Sequence, residues 1–331
     1  MKKILLAAVA ALAIVGCSQN EEIEKAGEKA EINFSTVVKG STKALIMTTD
    51  NFSTFTVCGY KTSGDMSTET QLVAGFMDNE EFTGGPDWTH STTFYWPISG
   101  SVQFFATSPQ QSLTLPKGYP AFTYSINDDI KLQEDLVAAS VTNKNKESGD
   151  IVLPFKHLLT QVNFTIKGNT PDFTYKVSKI ILKGVKKTGT FKFSDGTTSV
   201  GEWTLDAATA DYTYTPDSPV TVVTATDGTG EKSFETSGNA LFMLMPQDLS
   251  GGNIALDITY TAAPTNKVTE YTFNDTKTVT LKGAWNQATN IRYTLELTSD
   301  ATPIKFGTPS VGGWTDETGT TEPATPTTPD A

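Results

Sequence analysis

Ile254-Ala255-Leu256-Asp257-Ile258-Thr259-Tyr260 and Ile291-Arg292-Tyr293-Thr294-Leu295-Glu296-Leu297 make every second side chain apolar and the intervening ones small or polar. Successive side chains of an extended chain point to opposite faces, so both stretches read as strands with one buried and one wet face. Working outward from them, Ile32, Phe34, Thr36 and Val38 fall on one side in the same manner. Between such segments stand Gly84-Gly85-Pro86-Asp87, Ser194-Asp195-Gly196, Thr226-Asp227-Gly228 and Ser250-Gly251-Gly252-Asn253, which carry turn chemistry. No stretch after the N-terminal segment sustains an apolar face of period 3.6, and threonine is abundant throughout. The expected class is all-β, with many short strands and frequent turns arranged as sandwiches.

The segment from Ile151 to Ile166 departs from simple alternation. Leu153, Phe155 and Leu159 are odd-numbered, whereas Val162, Phe164 and Ile166 are even. A slip of one residue sends every side chain to the other face, so a bulge or bend is expected near residues 157–161. Just before it, Asn143-Lys144-Asn145-Lys146-Glu147-Ser148-Gly149-Asp150 contains no apolar residue. A length of 331 residues favours two domains over one. Because boundaries fall in exposed polar linkers, the division is placed there to within about ten residues. The first domain is expected over 31–148 and the second over 149–314.

Lys2 and Lys3 precede an unbroken apolar run from Ile4 to Val15. A membrane-spanning helix needs about 20 such residues, so residues 1–16 read as a secretory signal peptide and stand outside the fold. Ile14-Val15-Gly16-Cys17 places small residues ahead of a cysteine, the lipobox pattern, and Cys17 is expected to carry palmitate-type lipid. The other reading is an ordinary signal peptide that ends in a cysteine. Residues 17–30 are polar and acidic and form an expected flexible tether. Residues 315–331, rich in Thr and Pro, contain no aliphatic side chain larger than alanine and are expected to be disordered. Cys58 is the only other cysteine, so an exported chain has no internal disulfide and must be stabilised by its core. The formal charge is −12 and Arg292 is the sole arginine, a poor match to phosphate backbones, and nucleic acid is set aside as a partner.

His90 and His157 are the only histidines, and none of the nucleophile-elbow, zinc-protease or phosphate-cradling motifs occurs. His157 is read as a structural histidine holding the bend. Asp128-Asp129 and Glu80-Glu81 look like solvated loop acids, since adjacent residues of a strand would point apart. Asp227-Gly228-Thr229-Gly230 could offer oxygens to calcium but has too few carboxylates and reads as a plain turn. Trp88 is either a platform for stacking sugars or a residue folded back over a sheet edge. The expectation is no enzyme, no cofactor and no metal site.

Several patches together resemble one family. They are Phe94-Tyr95-Trp96-Pro97 followed by Val102-Gln103-Phe104-Phe105-Ala106, then Asp135-Leu136-Val137-Ala138-Ala139. Leu153-Pro154-Phe155-Lys156-His157-Leu158-Leu159-Thr160-Gln161-Val162-Asn163-Phe164 and Met245-Pro246-Gln247 follow, then Trp285 with Tyr293-Thr294-Leu295, and finally Ile304 to Trp314. In order and spacing, and with the lipobox, they resemble the fimbrillin family of Bacteroidales, the subunits of surface fimbriae. The resemblance implies two tandem transthyretin-like β-sandwiches, export as an outer-membrane lipoprotein, and cell adhesion. The acidic residues after Cys17 are similar to signals for the outer face of the outer membrane, or are simply a solvated linker. It further implies partnership with other fimbrial subunits by donor-strand insertion, in which a neighbour's strand fills an open groove.

One departure bears on processing. Family pilins are cut after an arginine to release the first strand, whereas Lys39 and Lys43 occupy that region here. Either a protease accepts lysine, or this chain is an unprocessed anchor or accessory subunit. If cleavage occurs, Lys43 and Ala44 flank the expected site, Ile32 to Val38 is the strand released, and the C-terminal strand Ile304 to Val311 is the expected donor. The alternative function is a monomeric surface lipoprotein that binds glycan or a host protein.

Overall fold

The computed structural model describes residues 30–38, 52–85, 87–223, 230–234, 241–307 and 309–313. In chain order the strands begin with β1 (Phe34–Val38), β2 (Thr54–Thr62), β3 (Met77–Gly84), β4 (Trp88–Thr89), β5 (Ser101–Ser108), β6 (Ala121–Ser125), β7 (Val137–Lys144) and β8 (Ile151–His157). Next come β9 (Thr160–Gly168), β10 (Phe173–Lys186), β11 (Thr188–Phe193), β12 (Gly201–Leu205), β13 (Thr209–Tyr214), β14 (Val220–Val223), β15 (Lys232–Ser233) and β16 (Phe242–Leu244). The last are β17 (Gln247–Asp248), β18 (Ala255–Pro264), β19 (Phe273–Thr280), β20 (Ala284–Trp285), β21 (Thr289–Leu297), β22 (Lys305–Phe306) and β23 (Ser310–Gly313). Among the described residues there are short 3-10 turns and no α-helix, so the class is all-β.

The first sheet has seven strands in the order β1-β8-β7-β5-β2-β3-β4. Its central strands are covered on both sides, and their sequences say why. In β5, Phe104 and Phe105 are neighbours pointing to opposite faces, and both are fully buried. Val57 and Cys58 of β2 behave alike. One face carries Phe55, Val57, Phe82, Phe104, Leu153 and Phe155 into a first core. The other carries Cys58, Tyr60, Phe105 and Ala138 into a second, larger core shared with the rest of the chain.

That second core contains the alternating strands from which the class was read. Strand β18 lies between β10 and β19 in a five-stranded sheet, with Leu256, Ile258 and Tyr260 buried. Strand β21 runs parallel to β9 in a six-stranded sheet, with Ile291, Tyr293, Leu295 and Leu297 buried. A three-stranded sheet, β12-β11-β6, joins the two halves of the chain: β6 comes from before residue 148 and β11 from after it, and Phe191 is registered against Phe122. Phe193 packs against Phe105 of the first sheet with ring centroids 5.2 Å apart.

The parity change has a direct cause. The chain leaves the seven-stranded sheet at His157, turns through buried Leu158 and Leu159, and begins β9 of the six-stranded sheet at Thr160. The bend expected near 157–161 is thus a change of sheet. The polar stretch beside which the division was placed, to within about ten residues, lies inside the first sheet, and the first sheet ends within that margin, at His157. The stretch is the exposed connection between β7 and β8, antiparallel neighbours in one sheet, and it contains a 3-10 turn at Lys146–Ser148 capped by Asn145. Polar composition marks exposure, which a hairpin end shares with a linker, so the first sheet runs on to His157.

Candidate assembly site

Strand β1 lies at one edge of the seven-stranded sheet. Before it, the Ile32 N–H donates to the Phe94 carbonyl (2.9 Å) and the Trp96 N–H to the Ala30 carbonyl (3.0 Å). The chain then changes partner: the Ile151 N–H donates to the Asn33 carbonyl (2.8 Å), and β1 pairs parallel with β8 from Phe34↔Ile151 to Val38↔Phe155. Parallel ladders are slightly less stable per residue than antiparallel ones. The alternation works as the sequence implied. Ile32 is buried, the Phe34 ring meets Phe82 and Phe104 edge-on at 5.1 and 5.2 Å, and Val37 on the other parity is 45% exposed. Beneath these side chains lies an aromatic floor in which Trp96 meets Phe104, and Phe52 and Phe55 meet Phe155. An edge strand with a few apolar side chains on such a floor is a seat that another strand of similar pattern could fill.

The other end of the chain is also at an edge. Strand β22 pairs with β21 at Leu295↔Phe306 and Glu296↔Lys305, and β23 pairs with it from Thr289↔Gly313 to Arg292↔Ser310. Gly307 separates the two ladders, its N–H donating to the Thr294 carbonyl (2.8 Å). Ile304 is buried, and Phe306 and Val311 are half-buried.

The remaining sequence-derived candidates fall as follows. Cys17, Lys43, Ala44, residues 1–29, residues 315–331 and Asp227-Gly228-Thr229 lie outside the described residues. His157 is buried with Nδ1 2.8 Å from Asp135 Oδ2, and Asp135 is buried too, a structural pair as its position at the bend suggested. His90 packs its ring on Phe82. Asp128 pairs with Lys187 at 2.7 Å, and Asp129 caps the 3-10 turn Ile130–Leu132. Glu80 and Glu81 correct the loop reading: both belong to β3, and Glu80 Oε1 accepts from the Ser91 hydroxyl and the Thr92 N–H, fastening the loop that follows β4. Asn79, at φ +53, bulges this strand away from regular pairing. Trp88 folds back as a cover, its ring 4.7 Å from Phe55 and 5.5 Å from Phe52. The Cys58 thiol donates to Asn79 Oδ1 (3.4 Å), and burial pushes its pKa up. No group of three His, Cys, Asp or Glu side chains able to hold a metal ion occurs among the described residues.

Sequence reading missed two features. One is the aromatic cluster of Phe105, Phe122, Phe191, Phe193 and Trp203 that joins the halves of the molecule. The alternation Phe191-Lys192-Phe193 marked a strand, but nothing local marked its partner. The other is Lys277, taken up below.

An all-β chain whose first and last described strands both lie at sheet edges belongs to the class of proteins that can offer backbone edges to neighbours. The fimbrillin-like family matches it over residues 42–314, and the chain belongs to that family. It is 27% identical to the fimbrium subunit Fim1C of Phocaeicola vulgatus, an alignment covering 95% of this chain and 97% of that one. Among solved structures it is similar to a candidate cell adhesion protein of Bacteroides uniformis, with TM-score 0.50 and 15% identity over 86% of this chain and 99% of that one. A second, from Bacteroides ovatus, has TM-score 0.47 and 14% identity over 88% and 99% of the two chains.

Proposed function

We propose that this chain is a structural or accessory subunit of a cell-surface fimbria that takes part in adhesion and assembles with other fimbrial subunits by strand exchange. The observation that carries the reading is the seating of β1 and the residues just before it: Ile32 and Phe34 plug an aromatic floor at the sheet edge, and their removal would open it. Family membership and the similarity to Fim1C support the fimbrial part. In this reading the chain is two tandem transthyretin-like sandwiches, carries lipid on Cys17 in the outer membrane, and has no catalytic task. Cleavage between Lys43 and Ala44 releases β1, and a neighbour's C-terminal arm replaces it. Burying each such apolar side chain is worth about 1.5–3 kcal/mol, so the uncut chain stays monomeric.

The test is mass spectrometry of subunits recovered from filaments. An N-terminus at Ala44 supports processing and exchange; filaments built of chains that still begin at lipidated Cys17 rule the mechanism out. Cys17→Ala should release the protein from the membrane fraction. The alternative, a monomeric binder of glycan or host protein, predicts no SDS-resistant ladder in unheated samples, and the packing of half-buried Trp88 against Phe52 and Phe55 supports the reading of that residue as a cover.

A further inference from the structure

We infer that the turn Thr298–Thr302, clamped by Lys277, is the fixed root from which the C-terminal arm (residues 304–307 and 309–313) swings out to be donated to a second copy of this chain. The inference rests on the strand-exchange reading above and adds where the moving part begins and which side chain keeps the rest still.

Lys277 lies in β19, the edge strand of the five-stranded sheet, registered against Ile258 of β18. The buried parity of β18 sets Lys277 on the core side, an unusual place for an ammonium, which is costly to desolvate unless it collects acceptors. Its stem and charge lie over the Phe273 ring, with Nζ 4.5 Å from the centroid. Nζ donates to the Asp300 carbonyl at 2.6 Å, to the Thr302 carbonyl and to the Thr298 hydroxyl. These acceptors all belong to the turn that follows β21.

Other bonds tie the same turn to the β18–β19 hairpin. The Tyr260 hydroxyl donates to the Thr298 carbonyl (2.9 Å) and the Thr272 hydroxyl to the Ser299 carbonyl (2.7 Å). Within the turn, the Thr302 N–H donates to Asp300 Oδ1 (2.8 Å) and the Thr298 hydroxyl to the Thr302 carbonyl (2.6 Å). Burial lowers the Lys277 pKa, with Asp300 opposing, consistent with an ammonium drawn partly out of water.

Past Thr302 the fastening changes character. Pro303 has no N–H to give to a ladder. Among the described residues, the ladder partner of the arm beyond it is β21, met in two short ladders of two and four residue pairs on either side of residues 307–309. Ile304 is its one fully buried apolar side chain among the described residues. The junction between a cross-linked turn and a lightly held strand is where the chain would pivot, with β21 left in place.

Hydrogen exchange on the full-length chain tests the root directly. Amides of the turn should be at least about tenfold better protected than those of the arm, and Lys277→Met, which keeps the stem and removes the donors while leaving the Tyr260 and Thr272 bonds, should reduce the difference at least about threefold. Lys277→Arg should restore most of it. Equal protection of turn and arm in the unaltered chain, or protection unchanged by Lys277→Met, overturns the inference. In producing cells, unheated samples should show SDS-resistant ladders for the unaltered chain, at least about fivefold weaker for Lys277→Met because a loosened root presents the arm less often. Equal ladders from both overturn the role of Lys277 alone. Absence of ladders from the unaltered chain overturns the strand-exchange reading, and the inference with it, even where the exchange pattern in the turn is as expected.

Discussion

His157 and Asp135 meet at the point where the chain passes from one sheet to another. His157 is registered against Val137, the Leu158 N–H donates to the Leu136 carbonyl (2.9 Å), and the Trp203 indole N–H donates to the Leu158 carbonyl (2.9 Å). Side chains here fix the direction in which Leu158 and Leu159 turn. Replacing His157 with alanine leaves the Asp135 carboxyl buried without this partner, a change expected to cost about 1–3 kcal/mol, read as a lower urea midpoint at unchanged slope. A loss below about 1 kcal/mol would show that the pair does not hold the bend. Gly196 is a second sensitive residue. It has φ +77, and a Cβ there would stand 2.2 Å from the Ser140 carbonyl oxygen, so the tip of the β11–β12 hairpin lies against β7 only because this residue has no side chain. Gly196→Ala should lower the melting temperature, and a neutral result would mean that the hairpin tip is free to move away. The sequence marked His157 by its place in a parity change. It singled out Asp135 as the start of the patch Asp135–Ala139 but did not mark it as the partner of His157, because the two lie 22 residues apart and residue patterns do not specify neighbours.

Among the elements, strands were legible where one face is wet. The alternation of β18 and β21 follows from burial on one side, and both were read as strands, although β18 runs four residues past Tyr260 and β21 begins two residues before Ile291. Strands β2 and β5 are buried on both faces, so their apolar runs carry little period and mainly length and composition suggested strand, whereas β9, also buried on both faces, alternates because polar Gln161, Asn163 and Thr165 line its second face. Pairing was not legible at all. The parallel seat of β1 on β8 and the pairing of β6 with β11 join segments far apart in the chain, and residue patterns specify faces, not neighbours. Turns were marked in part: Ser194-Asp195-Gly196 was read as one, whereas those at Asp65 and Asp300 were not. Asp65-Met66-Ser67, Asp195-Gly196-Thr197, Asp248-Leu249-Ser250 and Asp300-Ala301-Thr302 share one device, a carboxylate accepting from the N–H two residues on. These hydrogen bonds, with those to the Ser or Thr hydroxyls, lower the pKa of each carboxyl. A lowered folded value means that the contribution to stability is complete above the ordinary aspartate value of about 3.9 and is lost as pH falls through the folded values, because the unfolded chain takes up protons first. The melting temperature should therefore be level from about pH 7 to pH 5 and decline below about pH 4. Asparagine at all four positions keeps an acceptor without the titration and should flatten that decline; an unaltered slope would show that other carboxyls cause it.

At the scale of the whole molecule, the first half has a core of its own on one face of its sheet and shares a second core with the rest of the chain. One face of the first sheet opens into the same core as the six-stranded and five-stranded sheets, through Phe105, Phe122, Phe191 and Phe193. Strands β6 and β11 exchange hydrogen bonds across the expected division, and β8 completes a sheet begun before it. Calorimetry should show one cooperative transition, and residues 30–148 expressed alone should fail to fold, since they lack β8 and the partner of β6. Two well-separated transitions, or a folded fragment, would show that the shared core is dispensable.

The parallel pairing of β9 with β21 has a mechanical consequence. Thr160 faces Thr289 at one end and Gly168 faces Leu297 at the other, so the incoming end of β9 and the outgoing end of β21 lie at opposite ends of the ladder. Tension on the two ends of the chain would first peel the antiparallel arm from β21, one pair at a time. It would then load the whole β9–β21 ladder in shear, where all its rungs must fail together. A chain held at both ends by neighbours, under flow, would yield at the arm and resist at its centre.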